Sequence, residues 1–146
     1  MRFNMERPKL LIIDDDGRLR VKYSESLVAA EFDVDQIEDG CDLSYALEGA
    51  KYDVVLSDTN MCYLDGPEAC SSALDMGHLE GVLILAMSEC SLESQSRWAE
   101  ICHLGGFQDK DYFINIGKWA MDHYNLFNSS PIGSLWRARM PKRDWL

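Results

Sequence analysis

Short apolar runs ending in acidic or small polar residues alternate along this chain with longer segments whose apolar positions recur at helical spacing. Lys9-Leu-Leu-Ile-Ile-Asp14 is the clearest run: consecutive aliphatics without alternation describe a strand buried on both faces of a sheet. Asp16-Gly17 breaks it, and Leu19, Tyr23, Leu27 and Ala30 predict a helix through Glu31. A weak strand over 34–38, a helix over 43–49 and a strong strand over 53–57 follow. Gly66-Pro67 opens a third helix to about Met76, since proline fits the first turn, where its missing N–H removes no bond. A strand over 82–87 and a helix over 92–104 come next, and Gly105-Gly106 stops that helix. Residues 107–109 form a brief last strand and 112–127 a last helix.

Five strands alternating with helices require a parallel sheet covered on both faces, because each parallel connection needs a crossover of about a dozen residues or more. Right-handed crossovers bring the carboxyl ends of all strands to one edge, where ligands bind in doubly wound sheets. At those ends stand Asp14, Asp15 and Asp16 after the first strand, Asp58 after the third, Ser88 after the fourth and Lys110 after the fifth. Two carboxylates about 4 Å apart repel by roughly 4 kcal/mol at a protein surface, so the acids need a counterion. Few oxygen ligands, partly open to water, suit magnesium. A carboxylate beside such a cation can attack a phosphoryl group, with a hydroxyl and an ammonium to bind its oxygens. Taken singly each residue is ordinary: strand-end acids are usually solvated, a serine there is usually turn chemistry, and a lysine usually faces water. The conjunction at four strand ends carries the inference.

The length of 146 residues suits one domain, and 47% hydrophobic with 27% charged residues argues against disorder over its bulk. The chain divides into a domain over 1–128 and a tail over 129–146, set off by the breaker-rich stretch Asn128-Ser-Ser-Pro-Ile-Gly133. Net charge is −11, yet the tail holds Arg137, Arg139, Lys142 and Arg143 against Asp144, with Trp136 and Trp145 among them. So acidic a body repels nucleic-acid phosphates, which argues against direct DNA binding. The longest apolar stretch, Val82–Met87, is far short of the roughly 20 residues a bilayer requires, so no membrane partner is expected. Cys41, Cys62, Cys70, Cys90 and Cys102 are odd in number, form no CxxC pair and follow no secretory signal; reduced thiols and a cytoplasmic location are the simplest expectation.

Across most of residues 8–127 the sequence resembles the CheY-like receiver domain of two-component response regulators. The resemblance lies in Leu-Leu-Ile-Ile-Asp14-Asp15-Asp16, in Tyr-Asp-Val-Val-Leu-Ser-Asp58-Thr-Asn-Met-Cys-Tyr-Leu-Asp65-Gly66, in Leu-Ala-Met-Ser88 and in Gly-Gly-Phe107-Gln-Asp-Lys110. Asp-x-x-Met-x-x-x-Asp-Gly is its most specific element. Ser88 and Lys110 also follow Asp58 at separations similar to the family's, 30 and 52 residues. The resemblance implies a flavodoxin-like (βα)5 α/β fold with five parallel strands in the order 2-1-3-4-5. It further implies a phosphoacceptor, Asp58; a magnesium ion held by Asp14, Asp15, Asp58 and the backbone carbonyl of Asn60; and phosphoryl-oxygen contacts from Ser88 and Lys110. Ser88 and Phe107 would form the switch. The donor would be a phosphohistidine of a sensor histidine kinase or phosphotransfer protein. The output would be docking of a stand-alone receiver to a downstream protein, or a homodimer through the fourth helix, fifth strand and fifth helix. Such a protein is no enzyme beyond self-catalysed phosphoryl transfer and autodephosphorylation.

Three residues depart from that pattern. Asp111 stands where the family has proline, which leaves the placement of Lys110 open. Glu89 stands where a small residue is usual and puts a repelling charge at the mouth of the site. Cys62 replaces a proline, a change expected to alter only the loop. Glu89 and Asp111 motivate an alternative: an interaction module that no longer uses phosphoryl chemistry. A second alternative is a phosphatase, because Asp14-x-Asp16-Gly17-Arg-Leu19 resembles the first motif of the haloacid-dehalogenase superfamily. Met61, Met76, Met87 and Met121 are expected in the core. His78, His103 and His123 are expected at the surface, and Trp98 and Trp119, on the fourth and fifth helices, either pack inward or face a partner.

Overall fold

The structure, a computed structural model, describes residues 6–89, 91–101, 104–112 and 115–129. The tail after Ser129, His103, Cys90 and Cys102 lie outside them. Strands β1 (Lys9–Ile13), β2 (Asp33–Ile37), β3 (Val54–Asp58), β4 (Leu83–Ser88) and β5 (Gly106–Asp109) alternate with helices α1 (Gly17–Ala29), α2 (Leu43–Gly49), α3 (Gly66–Asp75), α4 (Ser91–Ile101) and α5 (Ile116–Ser129). The strands form one parallel sheet in the order β2-β1-β3-β4-β5, as the alternation and the resemblance predict.

The pleat explains the apolar runs. Leu10 and Ile12 pack with Tyr23, Leu27, Val54, Leu56, Leu85 and Ile116 beneath α1 and α5. Leu11 and Ile13 pack with Val55, Ala69, Leu74, Ile84 and Trp98 beneath α2, α3 and α4. A strand serving two cores cannot alternate. β2 lies at the sheet edge and is only partly buried, hence its weak pattern.

Several boundaries shift for physical reasons. β3 and β4 each end one residue later than the pattern predicts, so that Asp58 and Ser88 close the strands, with Asp58 still paired to Met87 and Ser88 to Asp109. The last helix begins at Ile116 rather than 112: Lys110–Tyr112 form a 3-10 turn, and Asn115 Oδ1 accepts from the Lys118 N–H at 3.0 Å as an N-cap. Met87 is buried and Met61 and Met121 are partly so, but Met76 is exposed at the end of α3, contrary to the core expectation. Trp98 is fully buried and Trp119 half-buried. His78 and His123 are half-buried rather than superficial. His123 lies against Trp119 with ring centroids 4.7 Å apart, and its ring covers the Gly106 backbone.

Candidate functional site

The carboxyl edge of the sheet gathers the strand-end residues. Asp14, Asp15 and Asp58 each place a carboxylate oxygen within 4.8 Å of the others. Asp14 is wholly buried; its Oδ1 accepts from the Asp16 N–H at 2.9 Å and its Oδ2 from Lys110 Nζ at 2.9 Å. Lys110 Nζ also lies 3.3 Å from Asp58 Oδ1, which accepts from the Thr59 N–H at 2.9 Å. The lysine therefore bridges the two buried acids, and Asp111 after it does not draw it away. Asp15, Asp16, Asp58, Asn60, Ser88, Glu89 and Lys110 line an open cavity of about 180 Å³. Asn60 Oδ1 accepts from Arg97 Nη1 at 2.9 Å, and Phe107 is half-buried on β5 on the α4 side of the sheet.

Electrostatics follow from this packing. Burial, then the Asp14 carboxylate, push Asp58 up to about 7, against the opposing pull of Lys110 and the Thr59 N–H. Burial lowers Lys110, but Asp58 and Asp14 outweigh it and hold the ammonium above its ordinary value. Burial also pushes up the phenol of Tyr23, which lies on α1 within reach of Lys110, Asp14, Asp58 and Glu89. Three carboxylates with one shared ammonium form a hard, oxygen-only donor set, one member of it exposed to water. That chemistry fits a small divalent cation such as magnesium.

The Asp-x-x-Met-x-x-x-Asp-Gly element has a mechanical basis here. Asp65 precedes α3, but its side chain does not cap that helix: Oδ1 accepts the Met61 N–H at 2.8 Å and Oδ2 faces Arg97 at 3.0 Å. A side chain at Gly66 would collide with the Asp58 carbonyl, Ser57 Oγ and the Trp98 ring, so only glycine lets α3 start against the end of β3.

Several residues that hold the site were given no part in it by the sequence. Asp39, before α2, is buried and accepts from the N–H groups of Cys41 at 3.0 Å, Tyr63 at 2.9 Å and Leu64 at 2.9 Å. Burial pushes it up, yet those three N–H groups prevail and hold it below the usual carboxylate range. Arg20 Nη1 donates to the Asp14 carbonyl at 2.8 Å. From α4, Ser94 accepts the Ser88 hydroxyl at 2.8 Å, and Trp98 Nε1 donates to Thr59 Oγ1 at 2.9 Å. Thr59 Oγ1 in turn donates to the Met87 carbonyl at 2.9 Å. Cys62 does more than alter the loop: its thiol donates to Asp15 Oδ2 at 3.5 Å, and that carboxylate pushes the thiol pKa up.

Two other readings find less support. Asp16 is exposed and lines the cavity, but it uses Oδ1 to cap α1 through Arg18 and Leu19 and is not among the three carboxylates that converge, so the phosphatase reading loses its second acid and leaves Asp58 unexplained. A larger groove of about 980 Å³ opens at the amino ends of the strands, but its Lys9 and Tyr52 are both engaged with Asp35, at 3.7 and 2.6 Å.

No protein-family profile and no curated protein matches the sequence. Solved structures do match in fold. The chemotaxis response regulator CheY4 of Vibrio cholerae superposes with a TM-score of 0.72 at 21% identity, over 81% of this chain and 98% of its own. The receiver domain of the Francisella response regulator 1452 gives 0.71 at 20% identity, over 81% and 97%. The receiver domain of the sensor histidine kinase PA1611 of Pseudomonas aeruginosa, with magnesium coordinated in its active-site cleft, gives 0.71 at 17%, over 82% and 96%. The chain has the fold of CheY-like receiver domains.

Proposed function

We propose that this chain, built on the receiver-domain fold, is a phosphoacceptor signalling switch that takes a phosphoryl group on Asp58. The observation that carries the reading is the convergence of Asp14, Asp15 and Asp58 within 4.8 Å, with Lys110 bridging two of them and Ser88 at the same cavity. Asp14, Asp15, Asp58 and the Asn60 carbonyl would hold magnesium. When bound, the ion neutralises the carboxylates and the phosphoryl oxygens and favours ionised Asp58. An Asp58 carboxylate oxygen attacks phosphorus as the P–N bond to a donor histidine breaks; an acyl phosphate forms and the imidazole leaves with the electron pair. Lys110 pairs with the transferred oxygens, and Ser88 turns its hydroxyl from Ser94 toward them. Phe107 follows, biasing the surface of α4, β5 and α5, where a downstream protein or a second copy docks. The donor class is a sensor histidine kinase or histidine phosphotransfer protein, and the setting is cytoplasmic.

Of the two motives for a phosphorylation-independent module, Asp111 loses force because Lys110 still reaches both acids, while Glu89 remains a repelling charge at the mouth. Among the described residues no helix is long and apolar enough to cross a membrane. The test is incubation with magnesium and acetyl phosphate. Wild type should gain the mass of one phosphoryl group and lose it without magnesium, and Asp58→Asn should gain none. Equal labelling of the two proteins, or no labelling of wild type, sinks the proposal.

A further inference from the structure

Helix α4 approaches the carboxylate cluster through Ser94, Arg97 and Trp98, and only Arg97 brings a charge. Its Nη1 donates to Asn60 Oδ1 at 2.9 Å, while Nη2 reaches Asp65 Oδ2 at 3.0 Å and Glu68 Oε1. Asp65 takes the Met61 N–H on its other oxygen, so one guanidinium ties both Asn60 and the turn that follows it. The second tether of this loop, Asp39, grips its far side at Tyr63 and Leu64. A planar fork of donors can hold three acceptors in fixed directions, which an ammonium cannot do.

We infer that Arg97 is a positioning residue of the cation site: by holding the Asn60 side chain and Asp65, it fixes the Asn60 peptide against the cleft. The inference rests on the cation-binding reading above and assigns to α4 a part in building that site. Through-space electrostatics alone predicts the opposite effect. Removing the guanidinium leaves Asp65 and Glu68 uncompensated, and added negative potential tightens a divalent cation. Loss of positioning weakens it. The two roles differ in sign, which makes them separable.

The experiment titrates magnesium chloride into the full chain, read by calorimetry and by tryptophan fluorescence, with far-UV circular dichroism as the check on folding. Arg97→Ala should weaken magnesium binding about tenfold, as loss of an outer partner of a metal ligand does. Arg97→Lys should fall between, having the charge without the fork. Asn60→Ala keeps the carbonyl but loses the tether, and should weaken binding comparably. The double variant should be no weaker than Arg97→Ala alone, because that change already breaks the path through Asn60. Unchanged or tighter binding by Arg97→Ala, or additive losses in the double variant, overturns the role of Arg97. If Arg97→Ala does not fold, Asn60→Ala decides alone, and unchanged affinity there overturns it. A wild-type chain that binds no magnesium sinks the cation reading as well, whereas a wild type that binds and variants that bind equally sink only this inference.

Discussion

The two ends of the sheet carry similar residue types in opposite circumstances. At the amino ends, Lys9 pairs with Asp35 and Arg7 with Glu31, with side chains 36% and 47%, and 51% and 50%, exposed. At the carboxyl ends, Lys110 pairs with Asp14, with side chains 5% and 0% exposed, and also meets Asp58. Water screens the first set, so each pair contributes about 0–1 kcal/mol. The second set is shielded, so its mismatch of charge persists: two buried acids share one ammonium, and Asp58 is driven up to about 7. A larger cavity therefore does not distinguish the end of the sheet that carries the proposed site. Charge that cannot be solvated does, because only there does an arriving cation or phosphoryl group change the energy by much.

Three experiments would break or sharpen this contrast. Lys110→Met removes the shared ammonium and leaves Asp14 and Asp58 facing each other where both are largely shielded from water. We expect a loss of about 3–5 kcal/mol in urea unfolding at pH 8 without magnesium, and less at pH 6, where Asp58 can take up a proton. A loss under about 1 kcal/mol would place the two ends of the sheet on the same footing.

The next effect is pH dependence in magnesium-free buffer. Asp58 has a folded value of about 7 against an ordinary 3.8, so the folded chain binds the extra proton between those values. Its stabilising contribution is complete below about 3.8 and disappears as pH rises through 7. Stability should fall between pH 5 and 8 by on the order of 2–4 kcal/mol. Asp39, held low by its N–H partners, loses its own contribution only on further acidification, outside this window. Asp58→Asn should flatten the slope, and magnesium should remove it; a wild-type curve that rises over the window contradicts the burial account.

The smallest effect should come from the amino ends. Lys9→Ala should cost under about 1 kcal/mol and shrink further in salt, measured by the same unfolding curves at low and high ionic strength. A larger loss would show that the stacking of Lys9 on Tyr52, 5.5 Å from nitrogen to ring centroid, contributes more than the ion pair.

Much of the architecture was legible along the chain. Leu10 to Ile13 had to be doubly buried because no polar residue interrupts them, and a parallel sheet then forces every strand to end at one edge. That rule alone collects Asp14, Asp15, Asp58, Ser88 and Lys110, since their positions relative to the strand ends are local properties. The aspartate and glycine at 65 and 66 were visible as a pattern, but their purpose was not.

Arg97, Asp39, Trp98 and Ser94 carried no comparable signal. An arginine and a tryptophan on an amphipathic helix read the same whether they face water or a neighbouring loop. Arg97 meets Asn60 across 37 residues of chain and Trp98 meets Thr59 across 39. Sequence determined the strands, the crossovers and the chemistry of the strand ends, because each depends on near neighbours and on the handedness of the chain. The rotation of α4 about its axis and its depth on the sheet depend on packing against β4, β5 and α3 together. Only the tertiary structure decided those, and with them which side chains brace the site.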